Sequence, residues 1–302
     1  MTPLVSIITI NYNQLAHTLD LLRSIRAATY KNVEVIVVDN ASKEDPNEEI
    51  KKQDPETIVI RSEKNLGFAG GNNLGIGVSK GKYLFFLNND TEVDANAFEP
   101  LVDFFESTKD AGAASPKILY YKSEETIQYV GCSNINPYTG RNHREGFKEK
   151  DRGQFDSTRV TDLAHGAAMM VPRTVIDEVG MMPELFFLYY EELDWCETIK
   201  EKGYKIYVVP KSKVYHKESQ SVGKNSTSKT YYMTRNRLLF MRRHTQGLVK
   251  ISWVLFFILF SIPKNSVKYL ITNETDHLKA FWKGLLWHVN HKSNGKRLTS
   301  GV

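Results

Sequence analysis

At 302 residues, 41% hydrophobic and 25% charged, the chain carries enough apolar content for one large core or two medium ones, so disorder is excluded as its default state. A net charge of +5, with acids mixed in along most of the length, leaves no concentrated basic footprint: it excludes nucleic acid as the expected partner and suits phosphate-bearing ligands or an anionic membrane surface. Two distant cysteines, Cys132 and Cys196, lack metal-ligand spacing and predict free thiols in a reducing, cytoplasmic compartment.

In chain order, Met1-Thr2-Pro3 lead into a strand with no basic segment before it, so no secretory leader is expected. Leu4–Ile10 is β-rich and stops at Asn11-Tyr12-Asn13; Leu15, Leu19, Leu22 and Ile25 follow at helical spacing. Val33–Val38 reads as a second buried strand ending in Asp39-Asn40-Ala41-Ser42, and Thr57–Ile60 as a short third. Strands alternating with helices imply right-handed βαβ crossovers and a parallel sheet, the pattern of a nucleotide-binding half-domain. A dinucleotide fold would place Gly-x-Gly-x-x-Gly after the first strand; Asn11-Tyr12-Asn13-Gln14 stands there instead, which removes the NAD-dependent oxidoreductase reading.

Asn65-Leu66-Gly67-Phe68-Ala69-Gly70-Gly71-Asn72-Asn73 is dense in glycine. Such a turn at a helix start can face a diphosphate or sugar, with Asn65, Asn72 and Asn73 offering amides to hydroxyl groups; it can equally serve to pack the helix on the sheet. Tyr83–Leu87 is five apolar residues in a row, a strand buried on both faces, and it runs into Asn88, Asn89 and Asp90. Ligands of open α/β sheets sit beyond the carboxyl ends of strands, so Asp90 is placed to hold a cation against a phosphate; the competing reading is a turn and helix cap before a helix near Asn96.

Ala97–Phe105 reads as a helix and Ala113–Tyr121 as the first of a second, shorter set of strands. The span 136–158, rich in Gly, Asn and charge, reads as a mobile surface loop, either a lid over an acceptor site or a solvated loop without a role. Asp162–Arg173 is a small-residue strand leading into a helix over 174–179. Aromatic residues from Leu185 to Tyr190 precede Glu191-Glu192-Leu193-Asp194, the first turn of a helix closed by Gly203. These acids suit the helix dipole; a carboxylate beside Phe187, Tyr189 and Tyr190 also suits a general base for a sugar hydroxyl. Glu191 and Asp194 share one face while Glu192 points about 100° away, so one base at most is expected.

Tyr204–Pro210 is the next strand, with Val214-Tyr215-His216 after a short turn; His216 is structural unless it meets Asp90. From Ser226 the pattern is helical, with aromatics and arginines interleaved, then amphipathic helices carrying Trp253, Trp282 and Trp287. These suit either peripheral contact with a membrane or packing onto the rest of the chain. The longest apolar run, Ile251–Ile262, ends at Pro263 after about a dozen residues, short of the roughly 20 that span a bilayer.

Taken together, Val5–Asn13, Val37–Ser42, Asn65–Asn73, Phe86–Thr91, Tyr190–Asp194 and Val214–His216, in this order and spacing over about the first 240 residues, resemble the family 2 inverting glycosyltransferases of the GT-A fold, specifically the bacterial rhamnosyltransferase-like branch. The resemblance implies an α/β GT-A domain over 1–225, with a nucleotide-sugar half (1–95) and an acceptor half (96–225), followed by a C-terminal helical region (226–302). It implies transfer of a sugar from a nucleoside-diphosphate sugar donor, dTDP-rhamnose first and a UDP-sugar second, onto a hydroxyl of a glycan or polyprenyl-diphosphate-linked acceptor in cell-surface polysaccharide synthesis. Position by position, Thr9 and Asn11 would line the base pocket, Asp39 would accept the base N3–H and Arg61 would lie near the ring. Asn65, Gly67, Asn72, Asn88 and Asn89 would face the nucleotide-sugar. Asp90 and His216 would bind Mn2+ or Mg2+, and Glu192 would be the base, with Glu191 and Asp194 in reserve. Two departures stand out: Asn88 replaces the first Asp of the family's Asp-x-Asp motif, and Glu replaces the more frequent Asp at 192. A catalytically silent scaffold that binds nucleotide or glycan is the competing reading; a sugar nucleotidyltransferase is disfavoured because no Gly-rich, Arg-containing loop follows the first strand.

Overall fold

A computed structural model describes residues 2–123, 125–217 and 226–291; residue 225, at the expected domain boundary, lies outside them, as does the end of the C-terminal region from 292. The chain divides into two compact units, one of Met1–Ser133, Arg144–Phe187 and Glu191–Ser221, the other of Asn134–His143, Leu188–Tyr190 and Val222–Val302.

The first unit is an α/β sheet flanked by helices. Strands β1 (Val5–Asn11), β2 (Val33–Asp39), β3 (Ile58–Arg61) and β4 (Tyr83–Leu87) alternate with helices α1 (Leu15–Ala27), α2 (Asn47–Gln53) and α3 (Gly67–Val78). They pair in the order β3-β2-β1-β4, all parallel. β4 is buried at all five positions, which is why it reads as an unbroken apolar run; β1 and β2 are buried over most of their length.

Beyond β4 the sheet becomes mixed. β5 (Thr91–Val93), α4 (Glu99–Ser107), β6 (Ala111–Tyr120), β7 (Ile127–Tyr129), β8 (Arg159–Thr161), β9 (Ala168–Pro172), α5 (Arg173–Val179), α6 (Glu191–Glu201) and β10 (Lys205–His216) complete the unit. β9 lies antiparallel to β4, β10 runs parallel to β6, and β5 closes the edge antiparallel to β10. The expected break at Pro210 is a bulge inside one continuous strand: the register on β6 shifts between Val209 and Lys213, because proline has no N–H to give the ladder. The span expected to be a mobile loop is tied down over its 144–158 part, where buried Lys117 bonds Asp151 at 2.7 Å and Asp156 at 2.5 Å.

Glycine is required at two places in α3. Gly75 lets the helix descend onto β1, since a Cβ would stand 2.5 Å from Ile8 Cγ2. Gly67 has φ +74°, and a Cβ there would stand 2.1 Å from the carbonyl oxygen of Phe187, which accepts the Phe68 N–H at 2.7 Å. The turn and the 187 segment are therefore joined backbone to backbone. Phe187 itself, at φ 65°, follows a single 3-10 turn, Glu184–Phe186.

The second unit is helical. α7 (Thr227–His244) is capped by the Ser226 hydroxyl, which accepts the Lys229 N–H at 3.1 Å. Asn236 of α7, fully buried, donates to the carbonyls of Leu188 (2.7 Å) and Tyr189 (2.8 Å), steadying a backbone in which Tyr189 and Tyr190 hold φ of 68° and 78°. α8 (Gly247–Phe256), a π turn (Phe257–Ser261) and α9 (Ile262–Ile271) follow, then α10 (Thr275–Asn290). Pro263 does not end the helix. The wider π turn just before it absorbs the missing N–H and the ring's clash with the preceding turn, and Gly247–Ile271 runs on for 25 residues. By length and composition that helix suffices to cross a membrane, which overturns the expectation that the apolar stretch is too short.

Gly67→Ala is expected to lower stability by about 2 kcal/mol or more, since it combines a left-handed residue with a backbone clash. Urea unfolding measures it; an unchanged midpoint would contradict the geometry.

Candidate functional site

The carboxyl ends of β1, β2 and β3 bring three of the predicted residues into line. Asn11 pairs with Asp39 in the ladder, and Asp39 with Arg61, so neighbouring parallel strands present them side by side. The Asn11 amide donates to Asp39 Oδ1 (2.9 Å) and to Ser42 Oγ (3.1 Å), while its own oxygen accepts from Thr18 Oγ1 (2.9 Å). The Ser42 N–H reaches Asp39 Oδ2 at 3.2 Å, and an Arg61 guanidinium nitrogen lies 3.7 Å from that oxygen. Asp39 is wholly buried, yet a carboxylate has about four lone-pair sites, so its oxygens keep capacity for a further donor. Arg61 is also fixed by the Ser42 carbonyl at 2.8 Å. Thr9 lies on the same side of β1 as Asn11, fully buried, and among the described residues its hydroxyl has no hydrogen-bond partner.

The glycine-rich turn is locked to the end of β2 by amides. Asn40 accepts from the Leu66 N–H (2.8 Å) and donates to Asn65 Oδ1 (3.1 Å) and the Gly67 carbonyl (2.9 Å); Asn65 Oδ1 also accepts the Gly67 N–H at 2.9 Å. Asn72 bonds back to the Phe68 carbonyl at 3.1 Å. Asn73 is spent on structure, exchanging bonds with Met182 and Glu184 at 2.9 to 3.0 Å. Asn89 is buried and donates to Thr18 Oγ1 at 3.1 Å, which joins the 88–90 turn to the Asn11 network.

The next pair is the sharpest. Asp90 Oδ1 and His216 Nε2 lie 3.1 Å apart, both buried, although they are far apart in the chain. The ladder sets this: His216 pairs with Thr91 across β10 and β5, and the Lys217 N–H bonds the Asp90 carbonyl at 2.9 Å. His216 Nδ1 faces Gln128 Oε1 at 2.8 Å. One ring nitrogen thus faces the Gln128 amide and the other the Asp90 carboxylate, so the imidazole is oriented by partners on both sides. One carboxylate and one imidazole, the latter oriented by an outer amide, form a donor set that fits a divalent cation taking its remaining oxygens from phosphate and water. Among the described residues no group of three or more His, Cys, Asp and Glu forms a closed metal cage.

His165 was not singled out by sequence, since its segment reads only as a small-residue strand. Its ring stands 6.5 Å from that of His216, and its Nδ1 accepts the Ala167 N–H at 3.1 Å. Enclosure of the ring by protein, with His216 next, holds its pKa down at about 3, so it stays neutral beside the pair. The Ala167 carbonyl accepts the Asn88 N–H at 2.9 Å, and a Cβ on Gly166 would lie 3.6 Å from Glu192 Cγ and 3.7 Å from Phe68 Cζ. The 165–167 turn thus links the 88–90 turn to the first turn of α6 and the start of α3. Glu191 and Asp194 are buried while Glu192 is partly exposed, the split expected from their helical angles. Besides His165, sequence reading missed Gln128, Asn40 and Thr18; only their pairing partners reveal them.

The sequence model of glycosyl transferase family 2 matches residues 6–180. The low-salt glycan biosynthesis hexosyltransferase Agl10 of Haloferax volcanii is 30% identical over 207 residues, which take in 67% of this chain and 63% of that protein. The dTDP-rhamnosyl transferase RfbF of Shigella flexneri is 26% identical over 263 residues, 80% of this chain and 83% of that one. A crystal structure of GalNAc-T7 with UDP, GalNAc and Mn2+ superposes with a TM-score of 0.63 at 16% identity, over 96% of this chain and 55% of that one, a likeness of fold.

Asn11→Ala strips one donor from buried Asp39 and leaves Thr18 and Ser42 short of partners, so a stability loss of about 1 to 3 kcal/mol is expected. Equilibrium unfolding reads this directly; a loss below about 0.5 kcal/mol would mean the network is replaceable by water.

Proposed function

The chain belongs to glycosyl transferase family 2 and has the GT-A fold, and from that premise we propose that it moves a sugar from a nucleoside-diphosphate donor to a hydroxyl with inversion at the anomeric carbon. L-Rhamnose from dTDP-rhamnose is the leading donor, in line with the rhamnosyl transferase among its relatives, and a UDP-sugar is next; the acceptor is a glycan or a polyprenyl-diphosphate-linked sugar of a cell-surface polysaccharide. The observation that supports this most is the row of Asn11, Asp39 and Arg61 at the strand ends, with the Asp90–His216 pair on the same turn network.

In this reading Thr9, Asn11, Asp39 and Arg61 receive the pyrimidine base, Asp39 accepting its N3–H. Asn65, Gly67 and Asn72 shape the turn that borders the sugar-diphosphate, with Asn88 and Asn89 below it. Asp90 and His216 hold a divalent cation, Mn2+ or Mg2+, whose chemistry is to offset charge on the departing diphosphate. Glu192, partly buried beside Gly166 and Phe68, takes the proton from the acceptor hydroxyl as that oxygen bonds to the anomeric carbon and the donor's nucleoside diphosphate leaves. Glu191 and Asp194 lie on the buried face of the helix and are the reserve candidates for the base.

Release of nucleoside diphosphate from dTDP- and UDP-sugars in the presence of Mn2+ tests the reading. Glu192→Gln should lower kcat by about 10²- to 10⁴-fold with little change in donor KM. If Glu191→Gln or Asp194→Asn does so instead, the base is elsewhere on α6. Asp90→Ala should abolish the rise in melting temperature that Mn2+ with dTDP gives the parent protein, and a retained rise would remove Asp90 from the cation site. Asn88, which leaves the 88–90 turn one charge short of the family motif, favours the second reading of a silent binding scaffold. Binding of nucleotide with no diphosphate release from any donor would establish that reading.

A further inference from the structure

The helix Gly247–Ile271 has two apolar sides with different fates. One carries Trp253, Phe257 and Ser261 at four-residue spacing, all buried within the second unit. Trp253 Nε1 and Arg237 Nε close around Gly140, and the Arg237 guanidinium stands 5.6 Å from the Phe257 ring centre. The other side carries Leu248, Ile251, Leu255, Ile258, Leu259 and Phe260, exposed by 51 to 80%, and the exposure continues to Ile271 at 80%. Large side chains bared in this number form a patch beyond what a monomer leaves to water without a use.

Charge selects what covers it. Between Gly247 and Ile271 the only charged residues are Lys250, Lys264 and Lys268; there is no Asp or Glu. An anionic headgroup layer complements them. The Trp253–Phe257–Ser261 side is covered by the chain's own residues, which leaves one side of the helix open to lipid, the arrangement of a helix lying in the interface.

We propose that Gly247–Ile271 is an in-plane anchor that seats the protein on an anionic bilayer, with the Leu248–Ile251–Leu255–Ile258 side in the boundary between headgroups and acyl chains and the lysines among the phosphates. The inference goes beyond the transfer reaction and does not depend on it, since binding is read without turnover.

Flotation of the full-length protein with vesicles tests it, using phosphatidylcholine alone and phosphatidylcholine mixed with phosphatidylglycerol. Binding to the anionic vesicles is expected to exceed binding to the neutral ones by roughly tenfold or more and to weaken at ~1 M salt. Leu255→Glu/Ile258→Glu, at two exposed positions, should lose roughly tenfold or more in binding while keeping the parent's circular dichroism and melting temperature. Lys250→Glu/Lys264→Glu/Lys268→Glu should lose the preference for anionic lipid. No flotation with either vesicle, equal binding of the leucine–isoleucine variant, or a salt-resistant insertion released only by detergent would overturn the proposal, as would a concentration-dependent dimer that ignores vesicles.

Discussion

A backbone ladder, rather than any side chain, is what the candidate centre depends on. The antiparallel pairing of β10 with β5 sets His216 opposite Thr91, and the Lys217 N–H bonds the Asp90 carbonyl, so an imidazole and a carboxylate 126 residues apart meet at 3.1 Å. At that distance the imidazole and the carboxylate share a hydrogen bond, and the same two groups are donors that suit a divalent cation. The fold thereby gathers a carboxylate and an imidazole at the end of the sheet, beside the 88–90 turn.

The remaining site residues lean on the same edge through shared hydrogen bonds. Thr18 bonds Asn11 and also accepts from Asn89, so the strand-end row and the 88–90 turn move together. On the other flank, the Phe187 carbonyl under Gly67 ties the glycine-rich turn to the segment preceding α6. Each link is a backbone group or a buried amide, so a ligand arriving there would meet groups already held by the fold.

Much of this was legible in the sequence wherever a residue's role follows from its local pattern. Tyr83–Leu87 matched its strand bounds because a doubly buried strand must be apolar throughout, and Glu192 parted from Glu191 and Asp194 because helical angles are fixed. Pattern failed where a long-range partner changes a local meaning. Pro210 reads as a strand end, but a bulge carries β10 past it; Pro263 reads as a helix end, but a π turn accommodates it. Asn73 reads as a ligand-facing amide, while Met182 and Glu184, distant in sequence, consume it. Gln128 and His165 carry no local signal at all, since their part comes only from facing His216.

The most direct measurement of the central claim is the anomalous density of Mn2+ in crystals grown with dTDP. A peak is expected within bonding distance of both Asp90 Oδ1 and His216 Nε2, shared with diphosphate oxygens. A bound nucleotide with no metal there, or a peak touching neither residue, would contradict it.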